Sequence, residues 1–373
     1  MFHNSVATIT QQARKYTTLN KNIRGILINL SLFLLSTLFA LFLSEIALRL
    51  IGLKPLYVSP ERDRFWKYDS LLGWKHEPGQ EGIFETPQFR TLVRINENGL
   101  RDRPHPYERQ DDSERILALG DSFAWGYGIE EPERFSQLLE QSLDVEVINA
   151  GISGYSTDQE LLWYRNEGIK YETDLVILEM AGNDVGDNDR QLVSTIYYKP
   201  KFVLEDEQLV LTGYPVPETS PQGKFIYSLS QRSALAYFLV QRYFDLLSLY
   251  GNIKDNSDPI SSPVSGISAE REDFKLTIAL LDEMRNTAKS MNAKFMIVAT
   301  DRWWDRPSNE TYQDFISTLQ TEGFLVLDVE SRPGFDPEVM LIPNDGHWNQ
   351  TGHKFVAQEI KAFIETHQLL SQP

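Results

Sequence analysis

Four short segments of the sequence carry side chains that could together perform acyl transfer. The first is Gly120-Asp121-Ser122, which follows the apolar run Arg115-Ile-Leu-Ala-Leu119. A serine between a strand and a helix lies beside the free N–H groups of the helix start, which stabilise a developing oxyanion. The same tripeptide is also typical of an ordinary Asp/Ser helix cap. The nucleophile elbow Gly-x-Ser-x-Gly fits less well, because Ala124 occupies its last position.

The other three segments each follow a later predicted strand. Asn149-Ala-Gly-Ile-Ser-Gly154 offers a glycine whose backbone N–H can approach a substrate closely. Ala181-Gly-Asn183-Asp184 offers a side-chain amide as a second donor. Pro343-Asn-Asp345-Gly-His347 offers an imidazole with a carboxylate two residues upstream. A serine, two further donors and a His–Asp pair are the components of an acyl-transfer site.

Taken in order, the four segments resemble the four sequence blocks of the SGNH (GDSL-like) hydrolase superfamily, over roughly residues 115–364. The resemblance implies Ser122 as the nucleophile and His347 as its general base. It also implies an oxyanion hole formed by the backbone N–H groups of Ser122 and Gly154 and by the side-chain amide of Asn183. No cofactor is implied by this mechanism.

The carboxylate partner of His347 departs from the pattern of many superfamily members. Those members place the aspartate three residues before the histidine, where this chain has Asn344. Asp345 lies two residues before His347, a spacing similar to the Asp-x-His-Trp arrangement of the alginate-acetylation branch. Gly346 could supply the turn that lets the carboxylate reach the far ring nitrogen. We therefore expect Asp345 to orient His347, with Asn344 as the alternative.

From residue 115 onward, apolar runs alternate with helical periodicity, which predicts an α/β domain over residues 113–373. The predicted strands are 115–119, 145–149, 175–178, 294–299 and 324–329. The predicted helices are 133–143, 157–167, 269–292, 311–322 and a last one after 351. Five parallel strands covered on both faces indicate a flavodoxin-like three-layer sandwich, whose sites lie at the carboxyl ends of the strands.

Two regions do not follow this alternation. Residues 185–268 predict an insertion with a β-hairpin (201–204 and 208–211), an amphipathic helix (231–250) and a Pro/Ser/Gly/Asp-rich loop (252–267). Residues 49–112 predict a β-rich lead-in, with an irregular spacer as the alternative. Within the lead-in, Tyr68–Trp74 and Arg94–Asp102 resemble the corresponding region of membrane-anchored bacterial superfamily members, without indicating a role.

The N-terminal region predicts a membrane anchor. Gly25 to Ser44 runs twenty residues without a charge, which is long enough to span a bilayer. Four basic residues and no acidic residue precede it, which predicts a cytoplasmic tail over 1–24, a transmembrane signal anchor over 25–48, and export of the rest to the periplasm or cell exterior. A cleaved signal peptide and a buried core helix are the alternatives.

Composition excludes several other functions. The formal net charge of -17 argues against nucleic acid as a partner. The absence of cysteine excludes disulfides and thiolate metal sites. No dinucleotide or phosphate-loop motif is present, so we expect no nucleotide cofactor. His347 and His353 with Asp345 fit a zinc site poorly, and we expect no metal.

Four tryptophans accompany the predicted site. Trp125 and Trp348 flank the serine and histidine segments, and Trp303 and Trp304 follow the fourth strand. Such rings could stack on the sugar rings of a substrate, or they could pack in the core.

These observations predict a serine esterase that removes O-acyl groups, most simply O-acetyl groups, from an envelope or extracellular carbohydrate or lipid. An O-acyltransferase of exported polysaccharide with the same triad is one alternative. It would require a partner that supplies the acyl group. A non-catalytic envelope protein that binds polysaccharide or a partner protein is the other alternative.

Overall fold

The computed structural model describes residues 2–57, 59, 61–193, 197–254, 272–302 and 309–371. The chain divides into two compact units. One consists of Met1–Tyr57 with Phe225–Gly251, and the other of Val58–Lys224 with Asn252–Pro373. All four segments of the predicted site belong to the second unit.

The α-helices are, in chain order, α1 (Phe2–Leu50), α2 (Arg62–Phe65), α3 (Ser122–Trp125), α4 (Phe135–Leu143), α5 (Thr157–Asn166), α6 (Asp184–Asp187), α7 (Pro221–Ser230), α8 (Ala234–Lys254), α9 (Glu272–Ser290), α10 (Asn309–Thr321), α11 (Pro337–Met340) and α12 (Gln350–His367).

The strands are β1 (Trp66–Asp69), β2 (Gly73–His76), β3 (Glu81–Glu85), β4 (Arg90–Arg94), β5 (Arg115–Leu119), β6 (Glu146–Asn149), β7 (Leu175–Met180), β8 (Leu192–Val193), β9 (Tyr197–Tyr198), β10 (Lys201–Glu205), β11 (Gln208–Thr212), β12 (Lys294–Ala299) and β13 (Val326–Asp328).

The core of the second unit is a five-stranded parallel sheet in the order β13-β12-β7-β5-β6. Every residue of β5 and β7 is buried, as expected for inner strands covered on both faces. Leu117, Leu178 and Ile297 belong to a core cluster that includes residues of α5, α9 and α10. The alternate residues of the same strands belong to a second cluster with α4 and α12. The predicted α/β fold with five parallel strands is confirmed.

One predicted helix begins later than the sequence indicates, for a physical reason. The periodicity of 133–143 predicts one helix, but α4 begins only at Phe135, after a 3₁₀ turn over Glu131–Glu133. Arg134 between them is extended, with φ -68° and ψ 149°, and its side chain is fully buried. Its guanidinium donates to the carbonyl of Arg101 and to the carboxylate of Asp102. These contacts hold Arg134 out of the helix.

The lead-in forms two antiparallel hairpins, β1–β2 and β3–β4. The hairpin predicted in the insertion is present as β10–β11. Its two turn residues, Asp206 and Glu207, have φ of 48° and 64°, the left-handed conformation that two-residue hairpin turns require. The turn therefore forms without glycine. Most of the predicted loop 252–267 lies outside the described residues, although α8 already extends through residues 252–254.

In the first unit, α1 contains a stretch, Arg24–Leu50, that is long and apolar enough to cross a membrane. Its apolar side chains are exposed, apart from Leu48, which is partly buried. By its length and composition, this helix is a candidate for the predicted membrane span.

Candidate active site

Ser122 lies where the sheet and a helix meet. It is the first residue of α3, directly after β5, and the carboxylate of Asp121 caps this helix by accepting from the Phe123 N–H at 2.8 Å. Gly120 precedes them with φ 147°, and a Cβ there would come within 2.9 Å of the Glu179 backbone oxygen. Only glycine fits this position, so the sharp turn that presents Ser122 depends on it.

His347 lies next to Ser122 although 225 residues separate them in the chain. Its Nε2 is 2.8 Å from the Ser122 Oγ, and its Nδ1 is 2.5 Å from an Asp345 oxygen. The ring stacks on Tyr127, with centroids 4.3 Å apart and planes inclined by 25°. The three side chains therefore form one hydrogen-bonded chain from carboxylate through imidazole to hydroxyl.

The loop before α12 brings the carboxylate to the ring. Asn344 has φ 60° and Gly346 has φ 102°, so the backbone reverses on both sides of Asp345. Burial would raise the pKa of Asp345, but hydrogen bonding and charge interaction with His347 outweigh burial and lower it. An ionised Asp345 can hold the imidazole in the tautomer that accepts a proton at Nε2. The side chain of Asn344 is exposed, so the structure brings Asp345 to the ring and not Asn344.

The two other predicted oxyanion donors follow β6 and β7. Gly154 is exposed, with φ 84°, in a loop tied to the nucleophile turn by the Ile152 N–H, which donates to the Gly120 carbonyl at 3.0 Å. Asn183 donates from Nδ2 to Asp187 at 3.0 Å. An amide nitrogen carries two hydrogens, so one donor of Asn183 remains for a further acceptor.

Two of the predicted substrate-binding tryptophans do not line the site. Trp125 and Trp348 have no exposed surface. Trp125 packs among Trp66, Phe84 and Tyr127. A ring that is wholly buried cannot stack on a sugar, so the substrate-binding interpretation is wrong for both, and the packing alternative holds. Trp303 and Trp304 lie outside the described residues.

A buried network behind the nucleophile was not apparent in the sequence. Arg101 is fully buried and donates to the carbonyls of Trp125 and Gly126 at the end of α3, and to that of Ile129 in the loop that follows. Its guanidinium also lies over the Trp125 ring, 4.3 Å from the centroid. The helix that carries Ser122 is thus fixed by a residue from the lead-in, at a position where the sequence indicated no role.

The elements that carry the site, and α5 beside them, hold several buried carboxyl groups. Asp121, Asp158, Glu160, Glu179 and Asp184 are all buried, and Asp158 forms an ion pair with the equally buried Lys199. Burial raises the pKa of Glu160, Glu179 and Asp184 well above the usual range. Neutral carboxyl groups cost far less to bury than ionised ones, so we expect these three to be protonated at neutral pH.

In the part of the chain that the structure describes, no group of three His, Asp or Glu side chains is arranged to hold a metal ion. His353, considered with His347 in the sequence, is buried, and its Nδ1 accepts from the Phe135 N–H at 3.2 Å. Burial lowers the pKa of His353 to about 3, so it is neutral and serves as a hydrogen-bond acceptor in the core.

Comparison with known proteins gives one match to a family. The model of the GDSL-like Lipase/Acylhydrolase family matches residues 118–355. No curated protein matches the sequence.

Solved structures with a similar fold include three ester hydrolases. They are the lipase/acylhydrolase from Enterococcus faecalis (14% identity, 68% of this chain and 96% of that chain, TM-score 0.37), the psychrotrophic esterase EstA from Pseudoalteromonas sp. (15%, 68% and 98%, 0.36) and the lipase Lip_vut3 from a goat rumen metagenome (13%, 67% and 97%, 0.37).

The protonated carboxyl groups predict how stability depends on pH. Burial raises the pKa of Glu160, so we expect it to be protonated in the folded state and to ionise near its usual pKa in the unfolded state, which then binds fewer protons above that pH. The free energy of unfolding should therefore fall as pH rises above the usual pKa of a carboxyl group, by at most about 1.4 kcal/mol per pH unit for each such group. Glu160→Gln, which is neutral at every pH, should make the fall shallower.

Guanidinium unfolding of the detergent-solubilised chain at a series of pH values measures this dependence. Glu322→Gln, at an exposed glutamate, is the matched control and should leave the pH dependence as it is. Parallel profiles for wild type and Glu160→Gln would show that Glu160 is ionised in the folded state.

Proposed function

The chain belongs to the GDSL-like Lipase/Acylhydrolase family and is an ester-hydrolysing enzyme, and we propose that it is a serine esterase acting on O-acyl groups of an envelope or extracellular carbohydrate or lipid. O-acetyl groups are the substrates we favour. The observation that carries the proposal is the hydrogen-bonded chain from Asp345 through His347 to Ser122.

The proposed reaction proceeds through an acyl-enzyme. His347 takes the proton from the Ser122 hydroxyl at Nε2 as the oxygen attacks the ester carbonyl, and Asp345 stabilises the imidazolium that forms. The backbone N–H groups of Ser122 and Gly154 and the free N–H of Asn183 hold the negative charge on the carbonyl oxygen. His347 then protonates the leaving alcohol, and a water molecule activated by the same imidazole releases the acid.

An O-acyltransferase is the second candidate, because a sugar hydroxyl can replace water in the last step. The Asp345-x-His347-Trp348 spacing favours it, since this spacing resembles the alginate-acetylation branch of the superfamily. The described residues contain one helix that could cross a membrane, so an acyl group from the cytoplasm would have to arrive through a partner. Hydrolysis needs no partner and is the simpler reaction.

For the location we propose a single-pass membrane protein. The cytoplasmic tail would be 1–24, the signal anchor 25–48, the lead-in 49–112 and the catalytic domain 113–373, in the periplasm or outside the cell. The four basic residues of 1–24 support this orientation, and the exposed apolar surface of Arg24–Leu50 supports the anchor.

Loss of the nucleophile should abolish covalent labelling and turnover. We expect the solubilised full chain to react with a fluorophosphonate probe and to release acetate from one class in a panel of acetylated sugars, thioesters and lipid esters. Ser122→Ala should lose both properties, whereas Ser142→Ala, at a partly exposed serine of α4, should keep them. Labelling that persists in Ser122→Ala would sink the proposed mechanism, and no labelling of the folded wild type would favour the binding protein.

Two variants distinguish the role of Asp345 from that of Asn344. Asp345→Asn leaves the geometry but favours the wrong tautomer of His347, so kcat should fall by about 10⁴. Asn344→Gly preserves the left-handed turn and removes only the exposed amide, so its kcat should stay close to wild type. Steady-state hydrolysis of 4-nitrophenyl acetate measures both, and the reverse ranking would assign the orienting role to Asn344.

Removal of one oxyanion donor should slow the chemical step without changing the nucleophile. Asn183→Ala should lower kcat on the order of 100- to 1000-fold, because a donor of this kind contributes about 3–4 kcal/mol to the barrier. Fluorophosphonate labelling should still occur, at a reduced rate. A wild-type kcat would show that the amide contributes nothing beyond its hydrogen bond to Asp187.

A further inference from the structure

The N-terminus of α8 is bonded to the last turns of the apolar helix α1. The Glu45 carboxylate accepts hydrogen bonds from the Ala234 N–H at 3.0 Å, the Leu235 N–H at 2.9 Å and the Ser233 hydroxyl at 2.8 Å. A carboxylate in this position caps the helix and lies at the positive end of its dipole. Arg49 adds a hydrogen bond to the Arg232 carbonyl at 3.1 Å. The start of α8 is therefore fixed to the end of α1.

An exposed apolar stripe runs along α8 from this point. Leu239, Tyr243 and Leu246 are each more than half exposed, and their spacing of four and three residues places them on one face. On α7, Phe225, Ile226 and Leu229 are also exposed and share a face. Exposed apolar surface at helical spacing is typical of a contact with a lipid or protein partner.

Charge identifies which partner fits. Residues 221–254 contain four basic residues and one acidic residue, in a chain whose formal net charge is -17. Arg232 and Arg242 are exposed, and Arg242 lies 5.6 Å from the centroid of the Phe238 ring. A helix that combines an apolar stripe with Arg and Lys has the composition of helices that lie in the interface of an anionic bilayer.

We propose that α8, which corresponds to the predicted amphipathic helix 231–250, and α7, which was not predicted from the sequence, lie in the headgroup region of the membrane where α1 leaves it. The proposal rests on the proposed membrane anchor: a helix whose first turn is bonded to Glu45, near the end of the span, begins at the depth of the bilayer surface. The apolar stripe then contacts the upper acyl chains, and Arg232 and Arg242 contact anionic headgroups. In this arrangement the protein contacts the membrane through α1 and also through the exposed apolar faces of α7 and α8.

The absence of cysteine allows each position to be tested by a single substitution. Leu239→Cys and Leu246→Cys on the stripe would carry an environment-sensitive fluorophore, in the full chain reconstituted into vesicles of phosphatidylcholine and phosphatidylglycerol. Gln241→Cys is the matched control on the opposite side of the same helix, because successive helical residues turn by about 100°. Leu35→Cys, in the middle of the span, is the depth standard.

We expect a blue-shifted emission at Leu239→Cys and Leu246→Cys, quenched most by nitroxides near the lipid headgroup, and an unshifted emission at Gln241→Cys. Adding Glu45→Ala to Leu246→Cys should reduce the shift. The inference would be overturned if the probes at Leu239→Cys and Leu246→Cys were as exposed to water as the control probe. It would also be overturned if they were quenched at the depth of Leu35→Cys. A blue shift that appears only at high protein density would likewise overturn it, because it would indicate contact with a second copy of the chain.

The depth standard, Leu35→Cys, distinguishes failure of the proposed membrane anchor from failure of the proposed surface contact of α7 and α8. If Leu35→Cys is itself exposed to water, the membrane anchor fails and the surface contact fails with it. If Leu35→Cys lies deep but the stripe probes lie in water, the anchor stands and only the surface contact is overturned.

Discussion

The buried carboxylate of Asp102 is the contact on which the geometry of the site depends. It accepts hydrogen bonds from the Asn149 N–H at 2.7 Å, from Gln137 at 2.8 Å, and from His105 and Arg134. Burial would raise its pKa, but the His105 hydrogen bond, the charge of Arg134 and other contacts lower it, so it is ionised. One charge thus joins the lead-in to β6 and α4. The adjacent residue, Arg101, binds the end of α3. The helix that begins with Ser122 and the segment that begins at Asn149 are therefore both held by residues 101 and 102 of the lead-in.

Much of the fold and site could be predicted because the signals are local. The runs at β5 and β12 are apolar and bounded by turn residues, and both strands have the predicted limits. Because parallel strands end at the same edge, residues following β5 and β13 were expected to meet, and Ser122 and His347 do lie within hydrogen-bonding distance. The GDSL-like family, expected from the four segments, is confirmed by the family match.

What the sequence could not predict depends on contacts between distant segments. The sequence pattern includes Arg134 in a helix, and its contacts with Arg101 and Asp102 explain why α4 begins after it. From the sequence, Trp125 could either contact a sugar or pack in the core. The residues that bury it, Trp66 and Phe84, come from the lead-in. Lys199 lies in the predicted insertion, where the sequence indicated no role for it, and it is buried and paired with Asp158 of α5. In each case the partner lies more than thirty residues away.

Glu45 shows how such a distant contact can account for a residue that local reasoning finds unfavourable. In the proposed anchor, the Glu45 carboxylate directly follows a twenty-residue uncharged run and would lie at the boundary of the hydrocarbon layer, where a carboxylate is costly unless it is paired. Arg49, one turn later, supplies a charge at 2.6 Å, and the start of α8 supplies two N–H groups and a hydroxyl. Two of these four hydrogen bonds satisfy backbone N–H groups that the N-terminus of α8 would otherwise leave open. The end of α1 and the start of α8 thus stabilise each other, which gives the start of α8 a structural reason to remain beside α1.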